Sequence, residues 1–320
     1  VSAPTSMSDG VLLADLLPVD LLPEGAGVPA GVPDDAGVHA GVGRTALLVA
    51  NARALEARRA DALAVDPFAA HFVRASPGCA DWPADPAEVD PGDPVWERLA
   101  AYFALRTRVL DDHLLGAAAT GTRQVVLLGA GLDSRAHRLP WPPGTTVWEL
   151  DRPEVLRFKQ RVLDGLGAAP RARRRTVPVD LREDWAGALT AAGLDPSRPV
   201  AWLAEGLFLY LPAAAELAVT AALDALSAPG STLAYEVKTG LESADVRAAD
   251  VYAQARERLD VDLLALFDPS PRPDTAAALR ALGWTTTVRT PFHHAPAARL
   301  RPEPADPLAA NRWITCAKRP

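Results

Sequence analysis

The chain has 320 residues, of which 49% are hydrophobic and 23% charged, a globular composition at the length of one large or two modest domains that excludes wholesale disorder. With 33 Lys and Arg against 40 Asp and Glu, its net charge of −7 argues against a nucleic-acid partner or an anionic membrane surface. No apolar run approaches the ~18–20 residues that span a bilayer, and no basic segment with an apolar core opens the chain. Cys79 and Cys316 have no CxxC spacing, so the expectation is a cytoplasmic protein with two ordinary thiols.

In chain order, residues 1–43 carry Pro18, Pro23, Pro29 and Pro33 among short apolar clusters, which excludes one long helix and predicts a loosely ordered arm. A helical pattern follows from Arg44 to Glu56, a short apolar piece from Phe68 to Val73, and a Pro/Asp-rich loop from Ser76 to Pro94. A second long helix is predicted over about 95–118, with Leu99, Tyr102, Phe103, Leu105, Val109, Leu110 and Leu114 at three- and four-residue spacing. Residues 44–120 thus read as a helical cap, since no strand signal precedes residue 124.

The pattern then changes. Gln124–Leu128 is a short apolar run ending at Gly129, as in a strand buried on both faces. Further strands are predicted at 145–150, 175–179, 200–204 and 232–237, with helices between them at about 153–166, 183–192 and 212–227. Residues 243–266 read as a helical insertion, followed by a helix at about 274–282 and strands at 285–289 and 313–317. Alternation at this rhythm indicates βαβ units and a parallel sheet. The expected fold is α/β, a Rossmann-like sheet over residues 121–320 carrying an N-terminal helical cap.

The turn after the first strand reads Gly129-Ala130-Gly131-Leu132-Asp133-Ser134-Arg135, and the second strand ends in Asp151, twenty residues past Gly131. Glycines there let a ligand approach the backbone, and the carboxylate is placed for ribose hydroxyls. Both NAD and S-adenosylmethionine use such features. Ser134 stands where a dinucleotide fingerprint needs a third glycine, and Asp133 puts negative charge where a pyrophosphate would lie. A carboxylate is unfavourable beside a diphosphate and favourable beside a sulfonium or ammonium, so the turn points to S-adenosylmethionine. Asp180, after the third strand, is placed to accept from an adenine amino group. Glu205, after the fourth, shares the same sheet edge. A local ion pair between Asp133 and Arg135, supporting the turn, is an alternative role for that carboxylate.

The segments GAGLDSR, WELDRPEV, VDLRE and WLAEGLFLYLP, preceded by VGRTALLVANARALEARR and LRTRVLDD, together resemble the leucine carboxyl methyltransferase-like family, in its bacterial S-adenosylmethionine-dependent branch. The resemblance covers about residues 42–317. It implies a class I methyltransferase sheet with a helical insertion after the fifth strand, and S-adenosyl-L-methionine as cofactor. It further implies that Arg106 grips the methionine carboxylate of the cofactor, with Arg44 as a second cationic contact, and that Gly129 and Gly131 line the methionine portion. On the same footing Asp151 takes the ribose, Asp180 and the Leu181 backbone the adenine, and Glu205 the ammonium.

A carboxylate acceptor is ionised at neutral pH and needs no base, whereas an alcohol does. None of the six histidines lies in a catalytic motif, and His293-His294 has no ligand partner at metal spacing, so no metal is expected. His113 reads as a solvated helix-surface residue. Phe103, Phe208, Tyr210, Tyr252 and Phe267 are candidates for an acceptor pocket suited to an apolar or aromatic small molecule. The reading is an O-methyltransferase acting on a carboxylate or hydroxyl of a small, natural-product-like acceptor, as a monomer or homodimer. An NAD-type oxidoreductase and a cofactor-binding family member without methyl transfer are the alternatives. No catalytic residue is identified.

Overall fold

The computed structural model describes residues 42–319 except 91–92, 241–246, 249, 295–298 and 304–305. The arm expected over 1–43 therefore lies outside the described residues except for its last two, which open the first helix. Among the described residues three α-helices precede the sheet: α1 (Val42–Ala57), α2 (Ala69–Arg74) and α3 (Pro94–Ala119). The long α3 begins at Asp93, whose side chain accepts from the Val95 and Trp96 amides, with Pro94 in the first turn where a missing N–H costs nothing.

Seven strands follow among the described residues: β1 (Gln124–Leu128), β2 (Thr146–Asp151), β3 (Arg173–Pro178), β4 (Val200–Ala204), β5 (Thr232–Lys238), β6 (Trp284–Arg289) and β7 (Asn311–Lys318). The connecting helices are α4 (Arg135–Arg138), α5 (Pro153–Gly165), α6 (Trp185–Ala191), α7 (Ala213–Ala225), α8 (Asp250–Leu259), α9 (Leu263–Leu266) and α10 (Thr275–Ala281). The sheet order is β3-β2-β1-β4-β5-β7-β6; β1 to β5 are parallel, and β7 runs antiparallel to both β5 and β6. This is a Rossmann-like α/β sheet. The described part of the segment expected as one insertion over 243–266 includes α8 and α9; residues 241–246 and 249 lie outside the description.

Every residue of β1 and β4 is buried, because both faces of the central sheet are covered. On one face Val126, Leu128, Trp148, Leu150 and Trp202 pack with α6, α7 and α10. On the other, Val125, Leu127, Val147, Ala201 and Leu203 meet Leu110, Leu114 and Ala117 of α3. The alternation is that of a pleated strand. The first half of α3 turns instead to α1 and α2 through Val95, Trp96 and Leu99. The chain winds from β1 out to β3, then returns to place β4 on the other side of β1. A crevice opens at that reversal, outside the carboxyl ends of the strands. No helix among the described residues is long and apolar enough to cross a membrane.

Candidate active site

A cavity of about 900 Å³ lies over the carboxyl edge of β1, β2, β4 and β5. Its floor is the turn after β1. Gly129 has φ +64° and Gly131 φ +46°, backbone conformations that side-chain-bearing residues rarely adopt. A Cβ on Gly129 would stand 3.1 Å from Leu207 Cδ1. The Gly131 amide donates to Asp151 Oδ2 at 2.6 Å, and the Arg152 amide donates to Oδ1 at 2.7 Å. One carboxylate thus ties the end of β2 to the turn after β1, while each oxygen keeps a lone pair for a ligand hydroxyl. Burial raises the Asp151 pKa above the ordinary carboxylate value.

Asp180, Leu181 and Arg182 form the adjoining wall. Asp180 is bound by Arg182 through its amide (2.9 Å), Nε (2.9 Å) and Nη2 (2.6 Å), and the Arg182 hydrogen bond draws the carboxyl down to about 2.

Between the turn and β4 lies a buried charge network. Glu205 accepts from Arg106 Nε at 3.0 Å and from Arg135 Nη1 at 2.6 Å. Burial alone would raise its pKa, but the two guanidiniums outweigh this and hold it well below the carboxylate range. Arg135 also pairs with Asp111 at 2.7 Å and with Asp133, whose Oδ1 accepts the Arg135 amide at 2.7 Å. Arg138 closes on Asp111 from the far side at 2.6 and 2.7 Å. Arg106 continues the chain: its Nη1 donates to Glu236 Oε2 at 2.6 Å, while Phe103 stacks 4.6 Å below its guanidinium carbon. Tyr102 Oη also donates to Glu236, and Asn311 Nδ2 donates to Glu236 Oε1 at 3.0 Å. Among the described residues, Arg106 Nη2 has no hydrogen-bond partner.

Of the residues expected to hold the cofactor, Arg106, Gly129, Gly131, Asp133, Asp151, Asp180, Leu181 and Glu205 all line this one cavity. Arg44 does not. Its Nε and Nη2 donate to the Leu259 carbonyl at 3.3 and 2.9 Å, with Asp260 3.7 Å away. Arg53 comes to the cavity instead, donating to the Leu132 carbonyl at 2.8 Å and pairing with Asp66 at 2.9 Å. Nine residues at about 100° each put Arg44 and Arg53 on opposite faces of α1. The Asp133–Arg135 pair forms the turn support that was the alternative reading, and Asp133 still borders the cavity.

Beyond Arg106 the wall becomes aromatic. Phe103, Tyr210, Tyr252 and Phe267 line it, with Tyr210 and Phe267 rings 5.7 Å apart. Phe208, expected among them, is fully buried in the sheet core and packs edge-on to Tyr235 at 5.3 Å. His113 is half-buried outside the cavity rather than solvated, and burial pushes it down to about 4. Reading the sequence missed Glu236, Lys238 and Asn311. For Glu236 a signal existed, a carboxylate inside the otherwise apolar strand Leu233–Val237 near its carboxyl end.

A family model described as leucine carboxyl methyltransferase matches residues 46–224. A protein of Streptomyces coelicolor, provisionally named an S-adenosyl-L-methionine-dependent methyltransferase, is 54% identical over 279 residues, covering 86% of this chain and 92% of that protein. A relative in Mycobacterium sp. strain KMS with the same provisional name is 52% identical over 223 residues, covering 68% of this chain and 72% of the relative. Two solved structures share the fold at a TM-score of 0.50. One is a protein of Thermobifida fusca provisionally described as a methyltransferase, 18% identical, covering 78% of this chain and 94% of that one. The other is a DUF574 family protein of Streptomyces avermitilis, 19% identical, covering 78% and 96%.

Proposed function

Because the chain belongs to the leucine carboxyl methyltransferase family and is an S-adenosylmethionine-dependent methyltransferase, we propose that it transfers the methyl group to an oxygen, a carboxylate or hydroxyl, of a small natural-product-like molecule. The observation that carries this reading is a single cavity with a charged wall at one end and an aromatic wall at the other, large enough for a cofactor and a modest acceptor together.

The residues present fit the cofactor. Gly129 leaves space that a Cβ would fill, Asp151 retains acceptor capacity, and Arg106 keeps one nitrogen unpaired. In this proposal Arg106 Nη2 holds the methionine carboxylate and Asp151 the ribose hydroxyls. Asp180 and the Leu181 backbone meet the adenine. Glu205 faces the ammonium as a carboxylate already shared by two guanidiniums, so it contributes the lone pairs they leave. Arg44 has no part in this arrangement. When bound, S-adenosylmethionine supplies a methyl group on a positively charged sulfur, an electrophile that needs no activation by the protein.

The chain's contribution is therefore positioning and exclusion of water. The side chains of α3 and the rings from residues 210, 252 and 267 would hold an apolar acceptor against the cofactor end. With its charge network already fixed, the site undergoes little reorganisation as charge is neutralised during transfer. Hydride transfer from a nicotinamide is not favoured: the turn carries Ser134 at the third glycine position and buries the Asp133 carboxylate beside the cavity.

Parallel calorimetric titrations with S-adenosylmethionine, S-adenosylhomocysteine and NAD test the donor half. Micromolar binding of the two adenosyl ligands without NAD is the expected result; binding of NAD alone would overturn it. Incubation with radiolabelled methyl donor and an extract of aromatic acids and phenols tests the acceptor half. Base-labile label marks an ester and base-stable label an ether, whereas label on nitrogen or carbon would refute O-methylation.

A further inference from the structure

The acceptor wall of the cavity holds a cation that cofactor binding does not use. Lys238 ends β5, is 5% exposed and lines the cavity. Its Nζ donates to the Pro307 carbonyl at 2.6 Å and to Asn311 Oδ1 at 2.8 Å, both neutral acceptors. An ammonium has three donors, so one N–H is left. Among the described residues Lys238 has no ion-pair partner, which sets it apart from every other cation on the cavity wall. Arg53 pairs with Asp66, Arg98 with Glu303 and Asp306, and Arg106 with Glu205 and Glu236. Arg152 pairs with Glu154 and Arg182 with Asp180. The chain's other two lysines are also paired, Lys159 with Glu149 at 2.9 Å and Lys318 with Asp224 at 2.8 Å.

A buried ammonium without a counter-charge is costly to keep ionised, and an incoming anion removes that cost. Burial pushes Lys238 down to about 8, against the pull of Glu236 and Asp306, which arginines already engage. The surroundings specify the rest of such a ligand. The Tyr252 ring lies 5.9 Å from Nζ, and Phe267 meets Tyr252 edge-on at 6.4 Å. Lys238 is also joined to the cofactor end through side chains: Asn311 bonds both Lys238 and Glu236, and Glu236 bonds Arg106.

We propose that Lys238 anchors a carboxylate of the acceptor, whose aromatic or apolar body lies along Tyr252 and Phe267. The proposal rests on the methyltransferase reading and assigns the residue that selects acidic acceptors.

Wild type, Lys238→Met and Lys238→Gln are each saturated with S-adenosylhomocysteine. They are then titrated calorimetrically with phenylacetate, 3-phenylpropanoate, 4-phenylbutyrate and biphenyl-4-carboxylate, and with the four matching amides. Wild type should prefer an acid over its amide by about ten- to a hundredfold, the scale of one charge-assisted hydrogen bond. Both variants should bind that acid and amide within about twofold of each other while keeping their affinity for S-adenosylhomocysteine. A preference that survives in either variant overturns the proposal. So does a wild type that takes up S-adenosylhomocysteine yet binds no acid of the series, or binds acid and amide alike. Failure to bind S-adenosylhomocysteine at all would instead strike at the methyltransferase reading.

Discussion

Asp151 accepts the Gly131 and Arg152 amides on its two oxygens, so it shapes the turn and faces the cavity with the same carboxylate. Asp151→Ala should weaken S-adenosylhomocysteine binding by about 2–3 kcal/mol, through lost ligand contacts and loss of the turn's anchor. Titration calorimetry measures this, and unchanged affinity would remove Asp151 from the site. At Gly129 the φ of +64° strains any side-chain-bearing residue, and a methyl group would crowd Leu207 Cδ1 at 3.1 Å. Gly129→Ala should therefore lower both thermal stability and cofactor affinity, by about 1–3 kcal/mol in stability for the strained backbone. A variant melting with wild type would show that the turn relaxes freely. Both residues were legible in the sequence because strand, turn and acidic strand end follow one another within twenty-odd residues. Lys238 and Asn311 were not: they are 73 positions apart and meet only because β7 pairs with β5.

At the scale of elements, α3 does most to build the site. Tyr102, Phe103 and Arg106 share one face of it and reach the cavity, while Leu110, Leu114 and Ala117 further along pack on the sheet. Asp111 follows Leu110 and is pinned between Arg135 and Arg138 of α4, so the helix is docked on the turn after β1 by buried ion pairs as well as by apolar contact. Removing Asp111 leaves Arg138 without its ion-pair partner and takes from Arg135 one of three carboxylates. Asp111→Ala should cost about 3–5 kcal/mol, read from urea unfolding. The double variant Asp111→Leu with Arg138→Leu should be less destabilised than the sum of its single changes, because it removes an ion along with its partner. Additive losses would show that Asp111 acts through packing alone. Periodicity located this helix and its ends within a residue or two. It could not say that the DDH run mixes a buried Asp111 with an exposed Asp112, since both are charged and adjacent.

For the molecule as a whole, the histidines make stability depend on acid. His137 is buried beside Phe68, its Nδ1 has no hydrogen-bond partner, and burial pushes it down from 6.5 to about 4. In the unfolded chain it takes up a proton as pH falls below 6.5, while the folded chain resists until about 4. The unfolded state thus binds more protons across that window, and this group's contribution to stability is lost as pH drops from 6.5 to about 4. Glu216, which burial raises to about 7 despite Arg272, acts oppositely, since its folded form holds a proton that the unfolded form releases above 4.5. A comparison between variants isolates the histidine. The unfolding free energy of His137→Phe, from urea titrations, should decline less steeply than that of wild type between pH 6.5 and 4, by up to about 1.4 kcal/mol per pH unit. Parallel slopes would mean that His137 titrates alike in both states.

What the sequence determined by itself follows from short-range physics. Apolar runs of five or six residues closed by glycine or an acid, alternating with amphipathic helices, dictate a parallel sheet and place Gly129, Asp151, Asp180 and Glu205 on one edge of it. That edge is where such sheets bind ligands, so these four residues were legible in the sequence as members of one candidate site. Tertiary structure decided the partners of each charge. Whether Arg44 or Arg53 enters the cavity depends on the rotation of α1 against the turn after β1, and helical spacing alone does not set that rotation. Whether Phe208 or Tyr210 lines the cavity depends on a short 3-10 turn at Phe208–Tyr210, which sends one ring into the core and the other outward. The network joining Glu205, Arg106, Glu236, Asn311 and Lys238 draws on α3, β4, β5 and β7, more than two hundred residues apart at its extremes. Coulomb and hydrogen-bond energies depend on distances of a few ångströms, and only the packed sheet brings those groups that close.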